Sequence, residues 1–517
     1  VTKGMLIELL ALHGGLQPNE QNLVFRKAAA GFTKVILSTN VAETSITIPD
    51  CTCVVDTCRE KQSSYYPVNR MPLLVERYAS LDSLKQRRGR AGRVRPGVYY
   101  QLISKKTRAK LSSHGVPEIC RCVLDSAILS LLFIGVEDGK GSFLKIMLDV
   151  PPKDSVEASF FSLIKMKAVE MRSDGHVSLT PLGMHLAGIP APPSVGKLIV
   201  MGSILGCRTA SLSIAAFMSL GRSPFMKIDT RQRYPSGGAK AEDHQGEIEK
   251  DEEELRKRNI IEERENILKI VGNSDHALIA YVFLKWKELE AKHQRNFCDT
   301  MGLSHMGLRD MKQLVLQYDS SLRSIGFAAE KESDANCKCW RVVRSCVVAA
   351  LSPSQLVRVQ RPIAKYHETL SGALEKDAEA KEVKLFVRTS GLTKMAEENM
   401  NSTSIDDTKE ERVFFHPSSS NFAVGKFSCP WFVYHDLVRT SKPFLRDATE
   451  CSAYALLLFG GDIDVQASNN LITVDDWVRL SASTRIGALI GGLRRKLDDL
   501  LLAKVADPSM DITGSAE

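Results

Sequence analysis

The hydrophobic pattern of the first 115 residues alternates between short apolar runs and segments with helical spacing. Residues 1–33 read as a helix, a loop and a second helix. Three runs predict strands, and the first of them is expected to be a buried parallel strand. These runs are Lys34–Thr39, Cys51–Asp56 and Gly97–Ile103. The first part of the chain is therefore expected to be an α/β unit.

Helical spacing dominates the middle of the chain. The run Val123–Ile134 is apolar and helical, and Thr180 before Pro181 is a favourable helix start because proline suits the first helical position. Residues 187–330 read almost entirely as helices. Within them, residues 231–264 form a charged insertion in which glutamates precede basic residues by four positions. This spacing favours a solvated helix over a docking arm.

The segment 340–466 returns to short strands, a pattern that predicts a small β-barrel. The expected strands are Val342–Val343, Val383–Val387, Val413–His416 and Trp431–Tyr434. The polar segments Gly372–Glu382 and Arg388–Ser404 are expected to be long loops. A last helix is predicted from Ser483 to Lys504, where leucines form an apolar stripe. The stripe consists of Leu493, Leu497, Leu500 and Leu501.

The composition is typical of a well-cored protein. The 517 residues are 44% hydrophobic and 25% charged, and this length suits about three to five domains. The formal charge of +8 favours a polyanionic partner.

No C-x-x-C pair has a partner pair downstream, so we expect the 12 cysteines to be reduced thiols in an intracellular protein, with no metal site. No apolar run approaches the ~20 residues of a membrane span. The chain lacks an initiator methionine, so we expect it to be an excerpt of a longer protein.

The stretch with the clearest candidate chemistry is Leu84–Gly97, LKQRRGRAGRVRPG, which holds five arginines and three glycines. If its first part is helical, Gln86, Arg90 and Arg93 stand at positions i, i+4 and i+7 and project from one face. Two guanidiniums and an amide on one face suit the charge of a phosphoryl group in transfer. The alternative is a nonspecific basic patch of the nuclear-localisation type.

The segment QRRGRAGR in this stretch resembles motif VI of superfamily 2 helicases, in the form found in DEAH-box and RNA helicase A-type proteins. Upstream, at the expected distance, Ser38–Ile48 resembles motif V of the same family. Further along, Pro117–Leu124 resembles the PEI-x-R-x-x-L junction of these proteins. Ser274–His276 resembles their SDH signature, and His416–Ser419 resembles their HPSS loop. The resemblance implies an ATP-dependent RNA helicase.

The resemblance also implies a fold class and a domain order that cover nearly the whole chain. The fold class is multidomain, with α/β, α and β parts. The expected domains are an N-terminally incomplete second RecA-like lobe (1–115), a winged helix (116–186), a helical ratchet bundle (187–330) that contains the insertion, an OB-fold β-barrel (340–466) and a C-terminal helical extension with a tail (467–517). The last segment resembles the RNA helicase A branch, which includes relatives that work on ribosomes.

The same resemblance assigns roles to individual residues. Arg90 and Arg93 are expected to be arginine fingers on the nucleotide phosphates, and Gln86 to position the attacking water or the γ-phosphate. Phe25 would stack on adenine, although burial in a hydrophobic core explains a phenylalanine equally well. In motif V, Ser45 would couple RNA to the nucleotide side. The RNA backbone contacts would come from Thr39, Asn40 and Thr47. The alternative for the motif V residues is capping and turn formation.

The sequence lacks the motifs of a first helicase lobe. The pair Gly196–Lys197 is followed by leucine, so it is not a Gly-Lys-Thr/Ser phosphate loop, and Asp251–Glu254 lies in a charged helix rather than in a DE-x-H motif. ATP with Mg²⁺ is the expected cofactor. We expect the magnesium ligands and the general base to come from a first lobe that precedes Val1.

The expected partner is RNA, within a ribonucleoprotein or ribosomal assembly, and no membrane. The complete enzyme would move 3′→5′ along RNA, a direction implied by the resemblance. A competing hypothesis is a non-catalytic RNA- or ribosome-binding scaffold derived from a helicase, and a third is DNA unwinding. A cytoplasmic location is favoured, with nuclear or organellar locations left open.

Overall fold

The computed structural model divides the chain into two compact units. The first comprises Val1–Tyr65 and Pro72–Cys122, and the second comprises Tyr66–Met71 and Val123–Glu517. The structure describes residues 6–14, 16, 18–44, 46, 48–66, 71–93, 96–136, 141–173, 176–221, 223–226, 244–328, 331–362, 365–369, 372–376, 379–388, 410–439 and 442–511.

The described part of the first unit combines short strands with short helices. Its strands are β1 (Leu6–Leu12), β2 (Phe32–Ser38), β3 (Cys53–Asp56), β4 (Arg59–Tyr66), β5 (Met71–Tyr78) and β6 (Val98–Gln101). Its helices are α1 (Pro18–Asn22), α2 (Val41–Thr44), α3 (Leu81–Arg88) and α4 (Lys105–Arg108), with 3₁₀ turns at Leu23–Phe25, Gly89–Gly92 and Glu118–Cys120. β1 pairs in parallel with β2, and β3 pairs in parallel with β6. β4 and β5 pair as a hairpin.

Two expectations for this unit are wrong. Residues 6–12 form a strand rather than a helix, because pairing along the whole of β2 outweighs the helix propensity of leucine, glutamate and alanine. The strand β2 is present, but it is not buried: Leu37 is 62% exposed. Its apolar run therefore predicted the strand correctly and its burial incorrectly.

The second unit begins with a helical segment that carries one small antiparallel sheet. Its helices are α5 (Asp125–Ile134), α6 (Ser142–Lys145), α7 (Lys153–Lys165) and α8 (Pro181–Gly188), and its strands are β7 (Val169–Met171) and β8 (Val177–Leu179). The predicted start of α8 is confirmed. Thr180 accepts a hydrogen bond from the backbone N–H of Gly183 at 3.1 Å, and Pro181 is the first helical residue.

The next segment is helical, as predicted. Its helices are α9 (Pro193–Ile204), α10 (Arg208–Ser219), α11 (His244–Val271), α12 (Asp275–Glu288), α13 (Ala291–Met301) and α14 (His305–Ser324). α11 contains the later part of the charged insertion, and residues 231–243 lie outside the described residues. In α11, Glu254 and Arg258 form one of the expected pairs four residues apart, at 3.8 Å.

A helix, α15 (Trp340–Leu351), precedes the barrel, where a strand at Val342–Val343 was expected. That expectation is wrong because the valines suggested a strand, whereas the buried residues recur at helical spacing. The buried positions include Val343, Cys346, Val347 and Ala350. α15 contributes to one continuous core with residues of α9, α10, α12 and α14.

The predicted β-barrel is confirmed. The strands of this segment are β9 (Leu356–Gln360), β10 (Lys365–Thr369), β11 (Gly372–Lys376), β12 (Lys384–Arg388), β13 (Glu410–Phe415), β14 (Trp431–Arg439) and β15 (Pro443–Glu450). Five of them close in the order β15-β13-β12-β9-β14, with β14 bonded back to β15. β10 and β11 form a hairpin, and β11 lies in the segment Gly372–Glu382 that was expected to be a loop.

The chain ends in a small sheet and a long helix. These elements are α16 (Ala453–Phe459), β16 (Ile463–Gln466), β17 (Leu471–Val474), β18 (Val478–Ser481) and α17 (Thr484–Ala506). Because β16 pairs with β17, the boundary predicted at residue 466 falls inside one sheet. The predicted leucine stripe is wrong in part: Leu493 and Leu500 are exposed, whereas Leu501 packs against the core together with Ile490 and Val505.

The described helices include none that combines the length and the apolar character needed to cross a membrane. None of the 12 cysteines forms a disulfide.

Candidate functional site

The arginine-rich motif is not one regular helix. Ser80 caps α3 by accepting a hydrogen bond from the N–H of Ser83 at 3.3 Å, and the helix ends at Arg88. A 3₁₀ turn follows, with Ala91 outside helical geometry at φ −86° and ψ 16°. The expected single helical face therefore does not extend to Arg93, because glycines weaken the helix here.

Gly97 fixes the path of the chain after this turn. A Cβ atom at this position would lie 1.7 Å from the carbonyl oxygen of Ala91 and 2.8 Å from that of Thr52. Only glycine permits this approach of backbone to backbone. The end of the motif is therefore held against the start of β3.

Arg90 joins motif VI to motif V. Its guanidinium donates to the backbone carbonyl of Ile46 at 3.2 Å and to that of Glu43. Partial burial, followed by the charge of Arg93, lowers the pKa of Arg90. Gln86 and Arg93 are exposed on either side of it in the chain. The structure thus places one of the three predicted side chains against motif V and leaves the other two at the surface.

Motif V follows β2 as a tight turn and a single helical turn. The N–H of Thr39 donates to the carbonyl of Leu12 at 3.1 Å, and the N–H of Glu43 donates to the carbonyl of Asn40 at 2.9 Å. The side chains of Thr39 and Asn40 are exposed. Because α2 has only four residues, its dipole is too small to support the expected attraction of a phosphate at a helix start. Ser45 and Thr47 lie outside the described residues.

Phe25 ends the 3₁₀ turn after α1, and its side chain is 43% exposed, which argues against the core alternative. A buried lysine holds this turn. The Nζ of Lys34 donates to the carbonyls of Val24 and Arg26 at 3.0 and 2.9 Å, and it lies 2.8 Å from the carboxylate of Asp50. An open cavity of about 480 Å³ adjoins the turn. It is lined by Glu20, Asn22, Leu23 and Arg26.

Sequence reasoning missed Arg87, which lies between two of the predicted residues. Its guanidinium is largely buried among three carboxylates of the same unit, from Glu43, Asp56 and Glu60. The phenol of Tyr99 donates to the same Asp56 at 2.7 Å. The spacing of the motif predicts a set of phosphate ligands. It does not distinguish a buried arginine from the exposed ones.

The outer face of the barrel carries cations and aromatic rings, together with Glu410, whose carboxylate pairs with Arg358. Its outward positions on β9, β12, β13 and β15 include Arg358, Phe386, Arg412, Phe414 and Phe444. In the strand register, Phe386 lies opposite both Arg412 and Arg358, and Phe414 lies opposite Phe444. The guanidinium of Arg412 and the ammonium of Lys442 lie 5.0 and 4.9 Å from the ring centre of Phe414. Cations interleaved with aromatic rings suit a single-stranded polyanion with stacking bases.

Two of the sequence signatures meet at a buried junction between α12 and the barrel. Asp275 of the SDH segment accepts hydrogen bonds from the hydroxyl of Ser419 at 2.6 Å and from the N–H and hydroxyl of Ser420 at 2.7 and 2.5 Å. The N–H of Ala448 in β15 donates to it at 2.9 Å. The adjacent His276 is fully buried, as expected of a structural residue rather than a catalyst.

The residues present fit part of a nucleotide site. Gln86, Arg93 and the ring of Phe25 are exposed, as contacts to phosphate and adenine require. Among the described residues, no cluster of three histidine, cysteine or carboxylate side chains is arranged to hold a metal ion.

Comparison with known families gives three matches along the chain. Residues 2–95 match the helicase conserved C-terminal domain. Residues 343–463 match an oligonucleotide/oligosaccharide-binding (OB) fold, and residues 470–517 match the C-terminal domain in RNA helicases. The second match contains the closed barrel.

Curated relatives align with nearly all of the chain. A putative DEAH-box ATP-dependent helicase of Mycosarcoma maydis is 33% identical over 97% of this chain and 31% of its own length. The ATP-dependent DNA/RNA helicase DHX36 of Homo sapiens is 29% identical over 97% of this chain and 44% of its own. The ATP-dependent RNA helicase dhx29 of Xenopus laevis is 30% identical over 98% and 33%. The chain therefore spans less than half the length of these relatives.

Proposed function

This chain belongs to the DEAH-box helicase family, and from that membership we propose that it forms the C-terminal portion of an ATP-dependent RNA helicase. The full-length enzyme couples NTP hydrolysis to 3′→5′ movement on RNA or to remodelling of ribonucleoproteins. The observation that carries this proposal is the arrangement of motif VI. Arg87 and Arg90 bind motif V, while Gln86 and Arg93 are exposed next to them.

The proposed nucleotide is ATP with Mg²⁺, shared between two lobes. In this lobe, Arg93 and Arg90 stabilise the charge of the β- and γ-phosphates, and Gln86 orients the attacking water or the γ-phosphate. Phe25 packs on adenine, held in place by the hydrogen bonds of Lys34 to its neighbours. The magnesium ligands and the general base come from a first lobe that this sequence does not contain.

The proposed RNA contacts lie on both units, each taken by itself. In the first unit, Thr39, Asn40 and Thr47 hold the RNA backbone, and Ser45 links RNA to the nucleotide side. In the second unit, the basic and aromatic face of the barrel binds the single strand through phosphate contacts and stacking. These contacts are independent of base sequence.

We further assign α5–α8 with the β7–β8 hairpin to a winged helix, and α9–α14 to a ratchet bundle, following the predicted domain order. A ribonucleoprotein or ribosomal target is proposed from the resemblance of the C-terminal segment to the RNA helicase A branch. An intracellular location stays a proposal from the scattered cysteines of the sequence, with the cytoplasm favoured over the nucleus or an organelle.

The test is ATP hydrolysis by the full-length protein with and without single-stranded RNA. Arg93→Ala is expected to lower RNA-stimulated kcat by about 100-fold, because a finger that stabilises transferring phosphoryl charge is lost. RNA affinity should change little. Arg88→Ala is the matched control, since Arg88 is an exposed arginine of the same motif, and it should leave kcat within about twofold.

Three outcomes separate the hypotheses. If Arg93→Ala hydrolyses ATP like the wild type, the finger assignment is wrong. If the wild-type protein binds RNA but never hydrolyses ATP, the scaffold hypothesis replaces the enzyme. If single-stranded DNA stimulates hydrolysis as well as RNA does, the restriction to RNA is wrong.

A further inference from the structure

Arg87 binds carboxylates from three different elements. Its Nε donates to Glu43 in α2 at 2.9 Å, its Nη1 donates to Asp56 at the end of β3 at 3.0 Å, and its Nη2 lies 3.6 Å from Glu60 in β4. Nη1 also donates to the backbone carbonyl of Arg59 at 3.2 Å. One guanidinium in α3 therefore connects motif V, a parallel strand and the first strand of the hairpin.

This cluster is shielded from solvent. The side chains of Arg87, Glu43 and Glu60 are 12% exposed, and that of Asp56 is 6% exposed. Burial lowers the pKa of Arg87, but the hydrogen bonds and charges of Glu43 and Asp56 outweigh it, so the pKa lies above its usual value. Only an arginine presents enough fixed donors to serve several carboxylates at once.

Glu43 connects this cluster to the phosphate-facing side of the motif. Its carboxylate accepts from Arg87, and its backbone carbonyl accepts from Arg90. A displacement of α2 relative to α3 therefore disturbs both arginines. Arg93 is the third residue after Arg90 and caps the end of the same 3₁₀ turn, so the disturbance reaches the exposed guanidinium through a short stretch of backbone.

We propose that Arg87 is a positioning residue that couples motif V and the β4–β5 hairpin to Arg90 and Arg93. The inference rests on the proposed function. Arg87 contacts neither the nucleotide nor the RNA. It fixes α2 and the base of the hairpin against α3, so that RNA bound at motif V shifts the arginines into position for hydrolysis.

The hairpin arm of this cluster has a matched control. Glu60 is 12% exposed and faces Arg87, whereas Glu76, in the other strand of the hairpin, is 51% exposed and pairs with Arg59 at 2.7 Å. Both are glutamates that face an arginine, and Glu60 also lies 3.7 Å from the Nε of Arg77 in β5. Only Glu60 belongs to the proposed coupling, so Glu60→Gln and Glu76→Gln separate coupling from a general loss of charge.

The experiment measures the ratio of RNA-stimulated to RNA-independent ATP hydrolysis in the full-length protein, together with the KM for ATP and the melting temperature. Arg87→Gln is expected to lower the ratio by about tenfold or more, and Glu60→Gln by about threefold or more, within the range of coupling energies between sites. Arg88→Gln and Glu76→Gln should keep the ratio within about twofold of the wild type.

If Arg87→Gln does not fold, because three carboxylates lose their cation, Glu60→Gln decides the question. An unchanged ratio in Glu60→Gln, or an equal loss in Glu76→Gln, overturns the inference. A raised KM for ATP or a lowered melting temperature in Glu60→Gln, with the ratio of RNA-stimulated to RNA-independent hydrolysis preserved, would indicate a structural role and would also overturn the inference. If the full-length wild-type protein hydrolyses no ATP, both the proposed function and this inference are wrong. If the wild type is active and Glu60→Gln keeps the wild-type ratio of RNA-stimulated to RNA-independent hydrolysis, only the inference is wrong.

Discussion

His276 illustrates what a single buried side chain contributes at the residue scale. It stands in the first turn of α12 with no solvent exposure, and its Nδ1 lies 2.8 Å from the hydroxyl of Thr449. Burial, and then the charge of His435, lowers the pKa of His276 to about 3. In the unfolded chain the same group titrates near its ordinary value of about 6.5. Between these values protons bind the unfolded chain preferentially.

The stability contributed by neutral His276 is therefore complete above pH 6.5 and is lost as the pH falls. We expect a loss of up to about 1.4 kcal/mol per pH unit below that value from this residue. Thermal melting between pH 7.5 and 5 should show a shallower acid slope for His276→Gln than for the wild type. His293→Gln, at an exposed position, is the control. Equal slopes in the wild type and His276→Gln would contradict the assignment.

The residues of motif VI show how far the sequence reaches at this scale. The spacing marks Gln86, Arg90 and Arg93 as candidate phosphate ligands, and that assignment stays a prediction. It does not separate Arg87 from Arg88, because the carboxylates that bury Arg87 lie 44 and 31 positions away. A guanidinium is buried only where the tertiary structure supplies its counter-charges. The local sequence pattern does not predict where those counter-charges lie.

At the scale of elements, the barrel face is the feature most open to measurement. We expect Arg412→Ala and Lys442→Ala each to weaken binding of single-stranded RNA. Each should also reduce the dependence of log K on log salt by about 0.7, the value for one lost phosphate contact on a single strand. Binding titrations at several salt concentrations test this. Arg485→Ala, exposed in α17, is the control, and an unchanged salt dependence in Arg412→Ala and Lys442→Ala would exclude this face.

Element type follows from the sequence where local propensity and tertiary pairing agree. β12 and β13 have alternating inward and outward residues, and their β-branched and aromatic runs predicted both strands. β1 and α15 were misread because leucine-rich and valine-rich segments fit either period over seven to twelve residues. In such segments, packing against a neighbouring strand or the core decides whether the segment forms a strand or a helix.

At the scale of the whole molecule, the chain should be inactive by itself. It supplies arginines and a glutamine but no phosphate loop, so we expect the purified 517-residue chain to hydrolyse ATP at the background rate with or without RNA. The full-length protein should hydrolyse it. The Arg93→Ala form of the same chain controls for a contaminating ATPase. RNA-stimulated hydrolysis by the wild-type chain, absent from that variant, would contradict the two-lobe account.

The family and the order of its parts were predictable at this scale because two motifs with fixed spacing carry more information than composition does. The solvent exposure of the parallel strands in the first unit was not predictable. Leu9, Leu37 and Val55 are each more than 60% exposed on short parallel strands, although parallel sheets are normally covered on both faces.

The carboxylate of Asp275 has a mechanical consequence. Its four hydrogen bonds all come from the barrel, while its own backbone begins α12. Separating α12 from the barrel would leave the buried carboxylate of Asp275 without its hydrogen-bond donors. We therefore expect α12 and the barrel to move together as one rigid body.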